Sequence, residues 1–156
     1  MRIRHYVHFG LYSRRITAAT MTARLLLEPD SFSVGSRTEL EAASRQHSWR
    51  IECRTPGLDI GTQVTRVLDR LRPSMDRVIA LAEEVARLES GDGARLSIVR
   101  YYNDARGEPI EPSRSPVAGS RWIGGTGSRL LGWNLDRSVL DFLAATGADL
   151  DVDEYA

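Results

Sequence analysis

The sequence has no lysine, a single cysteine and no long apolar run. With Cys53 alone the chain cannot form an internal disulfide, the usual support of small secreted domains, so we expect a cytoplasmic protein. The longest aliphatic run, Leu25-Leu26-Leu27, is far shorter than the roughly 20 residues that a membrane-spanning helix needs, so we expect no membrane partner. Because a P-loop requires a lysine, the glycine-rich tract at 124–128 does not form one.

The charge balance argues against a nucleic-acid partner. The sequence contains 21 arginines and 21 acidic residues, so the formal net charge is zero. Residues 1–54 carry nine arginines against five acids, whereas residues 133–156 carry one arginine against six acids. A nucleic-acid-binding domain normally shows a basic excess and a dense basic stripe, and neither is visible here. The exclusive use of arginine fits either codon bias in a GC-rich bacterial genome or selection for bidentate anion recognition.

The periodicity of apolar residues predicts an α+β fold. Alternation predicts strands at 4–12, 31–35, 48–54, 95–102, 130–136 and 148–155, and a 3.6-residue period predicts helices from Thr17 to Pro29, at 59–71, from Pro73 to Ser90 and from Ser138 to Gly147. We therefore expect a mostly antiparallel sheet with helices on one face. The first half, β-α-β-β-α-β, matches a ferredoxin-like unit, and a β-α-β extension follows it.

The strand patterns also predict which side chains face the core. In the first strand, Val7 and His5 share one face, while Tyr6 and His8 share the other. Trp49, Ile51 and Cys53 are expected to point inward in the strand at 48–54, and Leu150 and Val152 in the last strand. A buried free cysteine behaves mostly as a small hydrophobic residue, so we assign Cys53 no catalytic role.

No metal site or catalytic constellation is expected. His5 and His8 point to opposite faces of one strand, and a zinc site requires several ligands at suitable spacing. Asp149, Asp151 and Asp153 share a strand face, which is typical of an acidic edge that discourages strand pairing. The sequence thus predicts no metal and no cofactor, and it favours a protein without catalytic activity.

Residues 103–132 form the most unusual segment. They hold six of the 13 glycines and three of the six prolines, and a connection of this length inside one domain is usually functional or disordered. Arg121 and Trp122 are residue types enriched at protein interfaces. Trp122 either contacts a partner or folds back over the sheet. The predicted binding residues are Arg121, Trp122, Arg129 and Tyr102.

Several separated pieces of the sequence resemble a known family. They are Tyr6-Val7-His8-Phe9, Leu25-Leu26-Leu27-Glu28-Pro29, Ser48-Trp49-Arg50-Ile51-Glu52, Leu71-Arg72-Pro73 and the ending from Leu143 to Tyr155. In these pieces the chain resembles the bacterial domain-of-unknown-function family 4279, as one domain over residues 1–156 with an insertion at 103–132. The resemblance implies a small, soluble bacterial α+β protein and transfers no functional residues.

Two functions stay open at this point. The first is a non-enzymatic protein-binding module, an immunity-like role being one that the resemblance permits, which uses a sheet edge or the segment at 103–132. The second is a small-ligand-binding protein or an enzyme that acts on an anionic metabolite, held by Arg54, Arg100 and Tyr102 at the sheet face and the glycine-rich loop. Self-association as a homodimer through an exposed edge strand is a third expectation.

Overall fold

The structure is a computed structural model that describes residues 1–35, 46–90, 93–109 and 133–156. Within these ranges the chain forms six strands and four α-helices. The strands are β1 (Arg2–Ser13), β2 (Ser31–Ser33), β3 (His47–Cys53), β4 (Ala94–Tyr102), β5 (Glu108–Pro109) and β6 (Asp149–Tyr155). The helices are α1 (Ala18–Leu25), α2 (Ile60–Leu71), α3 (Met75–Glu89) and α4 (Arg137–Thr146), and a 3-10 turn, Arg72–Ser74, joins α2 to α3.

The strands form one mixed sheet in the order β2-β3-β1-β4-β6, and β5 pairs with the beginning of β1. In the described ranges every pairing is antiparallel except that of β4 with β6, which is parallel. The predicted α+β class is therefore confirmed. The elements run β-α-β-β-α-β as far as β4, with the second helix divided at Pro73. The likeness to a ferredoxin-like unit stays a prediction.

The core lies between the sheet and the helices, which all contribute to a single apolar cluster on one sheet face. Val7, Phe9 and Leu11 of β1 are fully buried in it, as is Trp49 of β3. The ring of Phe142, from α4, meets the ring of Phe9 edge-on with 5.1 Å between centroids. The expected inward face of β3 and the division of β1 into two faces are therefore confirmed.

Local chemistry explains where the helices begin and end. The side chain of Thr17, where the helix is predicted to begin, accepts a hydrogen bond from the backbone N–H of Thr20 and so caps α1. The same helix ends at Leu25, before the predicted stop at Pro29, because Leu26 adopts a left-handed conformation with φ of 52°. Gly147 ends α4 with φ of 61°, a conformation that glycine adopts without steric cost.

The predicted strand at 130–136 is wrong over its described part. Residues 133–136 form no strand, and residues 130–132 lie outside the described ranges. Trp133 and Leu135 alternate with polar residues because their side chains pack on the core, from a segment that pairs with no strand in the described ranges. The last helix begins at Arg137, one residue before the predicted Ser138, and Asp136 caps it by accepting a hydrogen bond from the N–H of Val139 at 3.1 Å.

The last strand is less covered than its sequence pattern predicts. Leu150 and Val152 lie opposite Leu96 and Ile98, on the face that carries the core. They nevertheless remain 40% and 38% exposed, because β6 forms the edge of the described sheet. Both side chains therefore lie on the core face of the sheet, as expected, but neither of them is buried. Among the described helices, none combines the length and the apolar character needed to cross a membrane.

Candidate functional site

A cavity of about 70 Å³ lies where the beginning of β1 meets the segments that follow β3 and β4. A volume of this size holds about five water molecules. The residues around it come from three parts of the chain, and most of them are polar or basic. They are Ile3, Arg4, His5, Arg54, Pro56, Gly57, Gln63, Arg106, Gly107 and Glu108.

One wall of the cavity is the described beginning of the segment predicted to be functional. The N–H of Asn103 donates to the carbonyl oxygen of Arg2 at 2.6 Å, and Glu108 pairs with Ile3 through β5. Gly107 permits this close approach, because a Cβ at that position would lie 2.7 Å from the carbonyl carbon of Ile3. Residues 103–109 therefore fold back along β1, and Arg106 is held beside the cavity.

His5 contributes a neutral imidazole to the cavity wall, and one of its two ring nitrogens is a hydrogen-bond acceptor. Its Nε2 lies 2.6 Å from the carbonyl oxygen of Leu58. A carbonyl oxygen can only accept, so Nε2 carries the proton and Nδ1 carries a lone pair. Burial lowers the pKa of His5; the hydrogen bond to Leu58 opposes this shift, and the charge of Arg100 adds to it. The Nδ1 atom is buried and has no hydrogen-bond partner in the described part of the chain.

Gln63 supplies a second acceptor from the inner face of α2. Its Nε2 lies 3.3 Å from the carbonyl oxygen of Thr55, 3.4 Å from that of Leu58 and 3.5 Å from that of His5. Because all three neighbours are acceptors, the amide nitrogen must face them and Oε1 must face away. Gln63 is only 1% exposed, and its Oε1 has no partner among the described residues.

Two of the three arginines around the cavity are fixed in position. The Nε of Arg4 donates to Asp104 at 2.8 Å, and its guanidinium carbon lies 4.2 Å from the centre of the Tyr101 ring. Arg54 donates to Glu52 and lies over the Tyr6 ring at 3.7 Å, a distance at which the ring face attracts a cation. Hydrogen bonds from the Arg106 backbone and from Arg4 lower the pKa of Asp104, which therefore stays ionised.

The structure brings together only part of the residues predicted from the sequence. Arg121, Trp122 and Arg129 lie outside the described residues. The hydroxyl of Tyr102 donates to Oε1 of Glu154 at 2.9 Å, and Arg100 donates to the same oxygen at 2.7 Å.

Arg54 is not part of that group. It stacks on Tyr6, which faces away from the core, whereas Arg100 lies directly opposite His5 on the core face. The predicted set of Arg54, Arg100 and Tyr102 therefore does not converge on one ligand, because the sheet separates Arg54 from the other two. Arg54 instead lines the cavity with residues that the sequence analysis did not select.

Sequence reasoning missed Arg4, Gln63 and Arg106 as site residues, and it considered His5 only as a metal ligand. One signal was present in the sequence. Gln63 interrupts the apolar face of α2, whose neighbouring inward residues are Ile60, Val64 and Val67. A polar side chain at a core position needs a partner, so its presence there marks a site. The described residues contain no group of three or more potential metal ligands.

The face of the sheet that carries no described helix holds a second group of polar side chains. Tyr12 lies between Arg50 and Arg95, whose guanidinium carbons are 5.5 and 5.7 Å from the centre of its ring. His8 lies beside them, with its Nδ1 buried and without a partner in the described ranges. Burial, followed by the charge of Arg50, lowers the pKa of His8 to about 4. This imidazole is therefore neutral at physiological pH.

Comparison with known proteins identifies the family but no activity. The profile of the family described as Domain of unknown function (DUF4279) matches residues 3–156. The chain belongs to this family. Neither the curated proteins nor the solved structures give a match. The description of this family names no reaction.

Proposed function

We propose that this protein binds a small anionic ligand in the cavity beside β1. The observation that supports the proposal most directly is the charge of the cavity wall. Arg4, Arg54 and Arg106 line the cavity, and among the described lining residues Glu108 is the one carboxylate. Guanidinium groups bind carboxylates and phosphates through paired, charge-assisted hydrogen bonds, so this wall favours an anion.

The fixed positions of Arg4 and Arg54 support the same proposal. Each guanidinium contacts a carboxylate, Asp104 or Glu52, and an aromatic ring. Neither of these carboxylates lines the cavity. Side chains that are already ordered lose less conformational entropy when a ligand binds, and this increases affinity. The charge of Arg106 acts on Asp104, but no ion pair within 4 Å holds its guanidinium among the described residues, so the guanidinium can contact a ligand.

The proposal concerns binding without turnover. The lining residues within the described part of the chain include no serine, threonine, cysteine, tyrosine or lysine that could act as a nucleophile. His5 has a lowered pKa and donates its one proton to a backbone carbonyl, so it serves as a fixed acceptor. These features support a binding protein.

The experiment is calorimetric titration with sodium acetate and with sodium phosphate at constant ionic strength. We expect at least one of these anions to bind, and Arg106→Gln to weaken the binding about tenfold or more, as expected for a lost charge-assisted hydrogen bond. Arg77→Gln is the matched control, since Arg77 is exposed on α3 and does not line the cavity. The proposal fails if neither anion binds, or if both variants behave alike.

A protein partner at the β6 edge is a second candidate. Leu150, Val152 and, on α4, Leu140 are 40%, 38% and 50% exposed. An exposed strand edge can pair with a strand of a partner, and apolar side chains beside it provide specificity. Because Asp149 and Asp153 also lie on β6, the edge favours a basic partner strand over a second copy of itself. The predicted contribution of Arg121, Trp122 and Arg129 to protein binding stays a prediction.

Fluorescence anisotropy with two labelled synthetic peptides tests this candidate. In one peptide arginine alternates with valine, and in the other glutamate alternates with valine. We expect only the arginine peptide to bind, and Leu150→Glu to reduce its binding. Phe32→Glu is the control, because it adds the same charge at an exposed position on β2, the opposite edge. Equal binding of the two peptides, or an equal effect of the two variants, would contradict the candidate.

A further inference from the structure

We infer that the ligand of the cavity is a small carboxylic acid that carries a hydroxyl or amino group next to its carboxylate. This inference rests on the proposed function and specifies the chemistry of the ligand. It starts from two buried atoms, Nδ1 of His5 and Oε1 of Gln63, that have no hydrogen-bond partner in the described chain. Both residues line the cavity.

Both atoms are acceptors, and their neighbours fix this role. The carbonyl oxygen of Leu58 holds the proton of His5 on Nε2 at 2.6 Å, which leaves a lone pair on Nδ1. Three backbone carbonyls hold the amide nitrogen of Gln63, which leaves only its oxygen for another group. Reversing the amide would place its oxygen against three carbonyl oxygens and is therefore excluded. A donor on a bound ligand would satisfy each of these atoms, which have no partner among the described residues.

The hydrogen-bond donors on the cavity wall fit the carboxylate of the ligand, not its hydroxyl or amino group. The side chains of Arg4, Arg54 and Arg106 carry N–H groups and positive charge, which fit the anionic end of a ligand. A ligand with only an anionic end supplies no donor to the acceptors of His5 and Gln63 and leaves both unsatisfied. Buried polar groups left without a partner reduce affinity strongly, and a site built around them rejects a ligand that lacks the matching donor.

The size of the cavity limits the ligand further. A volume of about 70 Å³ accommodates about five waters, which is close to the number of non-hydrogen atoms in glycolate or glycine. Glu108, the carboxylate on the wall, favours an ammonium group as the donor, whereas the neutral acceptors of His5 and Gln63 accept from either group. Glycolate and glycine therefore distinguish the two sources of the donor.

The test is calorimetric titration with acetate, glycolate, glycine and methoxyacetate near neutral pH. Acetate supplies the anion alone, and methoxyacetate adds an oxygen that has no proton to donate. We expect glycolate or glycine to bind about tenfold or more tightly than acetate, and methoxyacetate to bind no better than acetate. Tighter binding of glycine identifies an amino acid as the ligand, and tighter binding of glycolate identifies a hydroxy acid.

Substitution of Gln63 tests whether its side-chain oxygen causes the preference for glycolate or glycine over acetate. Gln63→Met keeps the length of the side chain and removes its polar atoms, so we expect the preference over acetate to decrease at least threefold while acetate still binds. Thr65→Val is the control, a polar-to-apolar change on the exposed side of α2. The methoxyacetate comparison uses the unmodified protein. It therefore tests whether the ligand must donate a proton even if Gln63→Met does not fold.

The outcomes separate this inference from the proposed function. If acetate binds as tightly as glycolate and glycine, the inference is wrong and anion binding stands. A preference that is unchanged in Gln63→Met also overturns it, since the donor is then recognised by other residues. If none of the four compounds binds while phosphate does, the inference is wrong and anion binding stands. If phosphate also fails to bind, the proposed function itself is wrong.

Discussion

The hydroxyl of Tyr12 lies 3.3 Å from Nε2 of His8, four residues earlier on the same strand. Side chains at these two positions are normally well separated along a strand, because each residue advances the chain by about 3.3 Å. Gly10, between them, makes the contact possible: a Cβ there would lie 2.6 Å from the Tyr12 hydroxyl. The Tyr12 ring thus lies back over Gly10, with Arg50 and Arg95 close to the ring.

We predict that Gly10→Ala destabilises the protein by displacing the Tyr12 ring. The added methyl group would overlap the ring, and overpacking of this kind costs about 1–3 kcal/mol of unfolding free energy. Urea denaturation followed by circular dichroism measures the change.

The same substitution should have the opposite effect in a Tyr12→Ala background. Removing the ring removes the overlap with Tyr12, and alanine in a strand is more stable than glycine by about 0.5–1 kcal/mol. The double-mutant cycle isolates the contact between positions 10 and 12. Destabilisation of equal size in both backgrounds would show that Tyr12 is not the cause.

The lowered pKa of His8 predicts that stability decreases in mild acid. In the unfolded chain this imidazole binds a proton near pH 6.5, whereas in the folded protein its pKa is about 4. Between these values the unfolded state binds more protons, so acid favours unfolding. The expected loss from His8 is about 2 kcal/mol between pH 7.5 and pH 5. Arg50 and Arg54 contribute to the low pKa, and Glu52 and Asp151 oppose it.

The measurement compares unfolding free energies of the wild type and His8→Gln at about pH 7.5 and pH 5. Other titrating groups, including His5 with its lowered pKa, are common to both proteins and cancel in the comparison. We expect the wild type to lose about 2 kcal/mol more than the variant over this interval. Parallel losses in the two proteins would contradict the prediction.

Much of the fold follows from local sequence signals. The alternation around Val7 and Trp49 and the helical period broken at Pro73 predict elements that depend mainly on neighbouring residues. The segment with Trp133 and Leu135 shows the limit of this reasoning. Alternation reports that every second residue is covered, and it does not distinguish a paired strand from an extended segment lying on the core.

The cavity could not be derived from the sequence in the same way. Its parts are brought together by contacts between distant residues, such as His5 with Leu58 and Arg4 with Asp104, which are 53 and 100 positions apart. Periodicity carries no information on such pairings. Gln63 was nevertheless detectable as a polar residue on an apolar helix face, which marks a position whose partner is unknown.

We predict that Gly107→Ala disrupts the cavity. A Cβ at this position would lie 2.7 Å from the carbonyl carbon of Ile3 and 2.9 Å from the backbone nitrogen of Arg4. Backbone atoms in the central strand cannot move to relieve this overlap, so residues 103–109 must shift away from β1. Anion binding should weaken about tenfold or more, because Arg106 shifts with this segment and loses its contacts with the ligand. Faster hydrogen exchange at the amide of Asn103 reports the shift directly.

Gly147→Ala is the control for this prediction. Gly147 has a left-handed backbone, with φ of 61°, and lies at the end of α4, outside the cavity. Alanine there costs about 1–2 kcal/mol through backbone strain. It should therefore lower stability without changing anion affinity. If both variants weaken binding equally, the effect is one of general destabilisation, and Gly107 has no special role in shaping the cavity.

The ion pair of Arg100 with Glu154 predicts an unusually large effect of a change at the exposed end of β6. The side chain of Arg100 is only 5% exposed, and Glu154 accepts hydrogen bonds from both Arg100 and Tyr102. Glu154→Ala leaves a buried cation with one partner fewer, so we expect a loss of about 1–3 kcal/mol of unfolding free energy. Glu84→Ala removes an ion pair with Arg24 that is largely exposed to solvent, and it should cost about 0.2–1 kcal/mol. Chemical denaturation of both variants in one buffer decides the matter, and equal losses would mean that the carboxylate of Glu154 does not anchor β6.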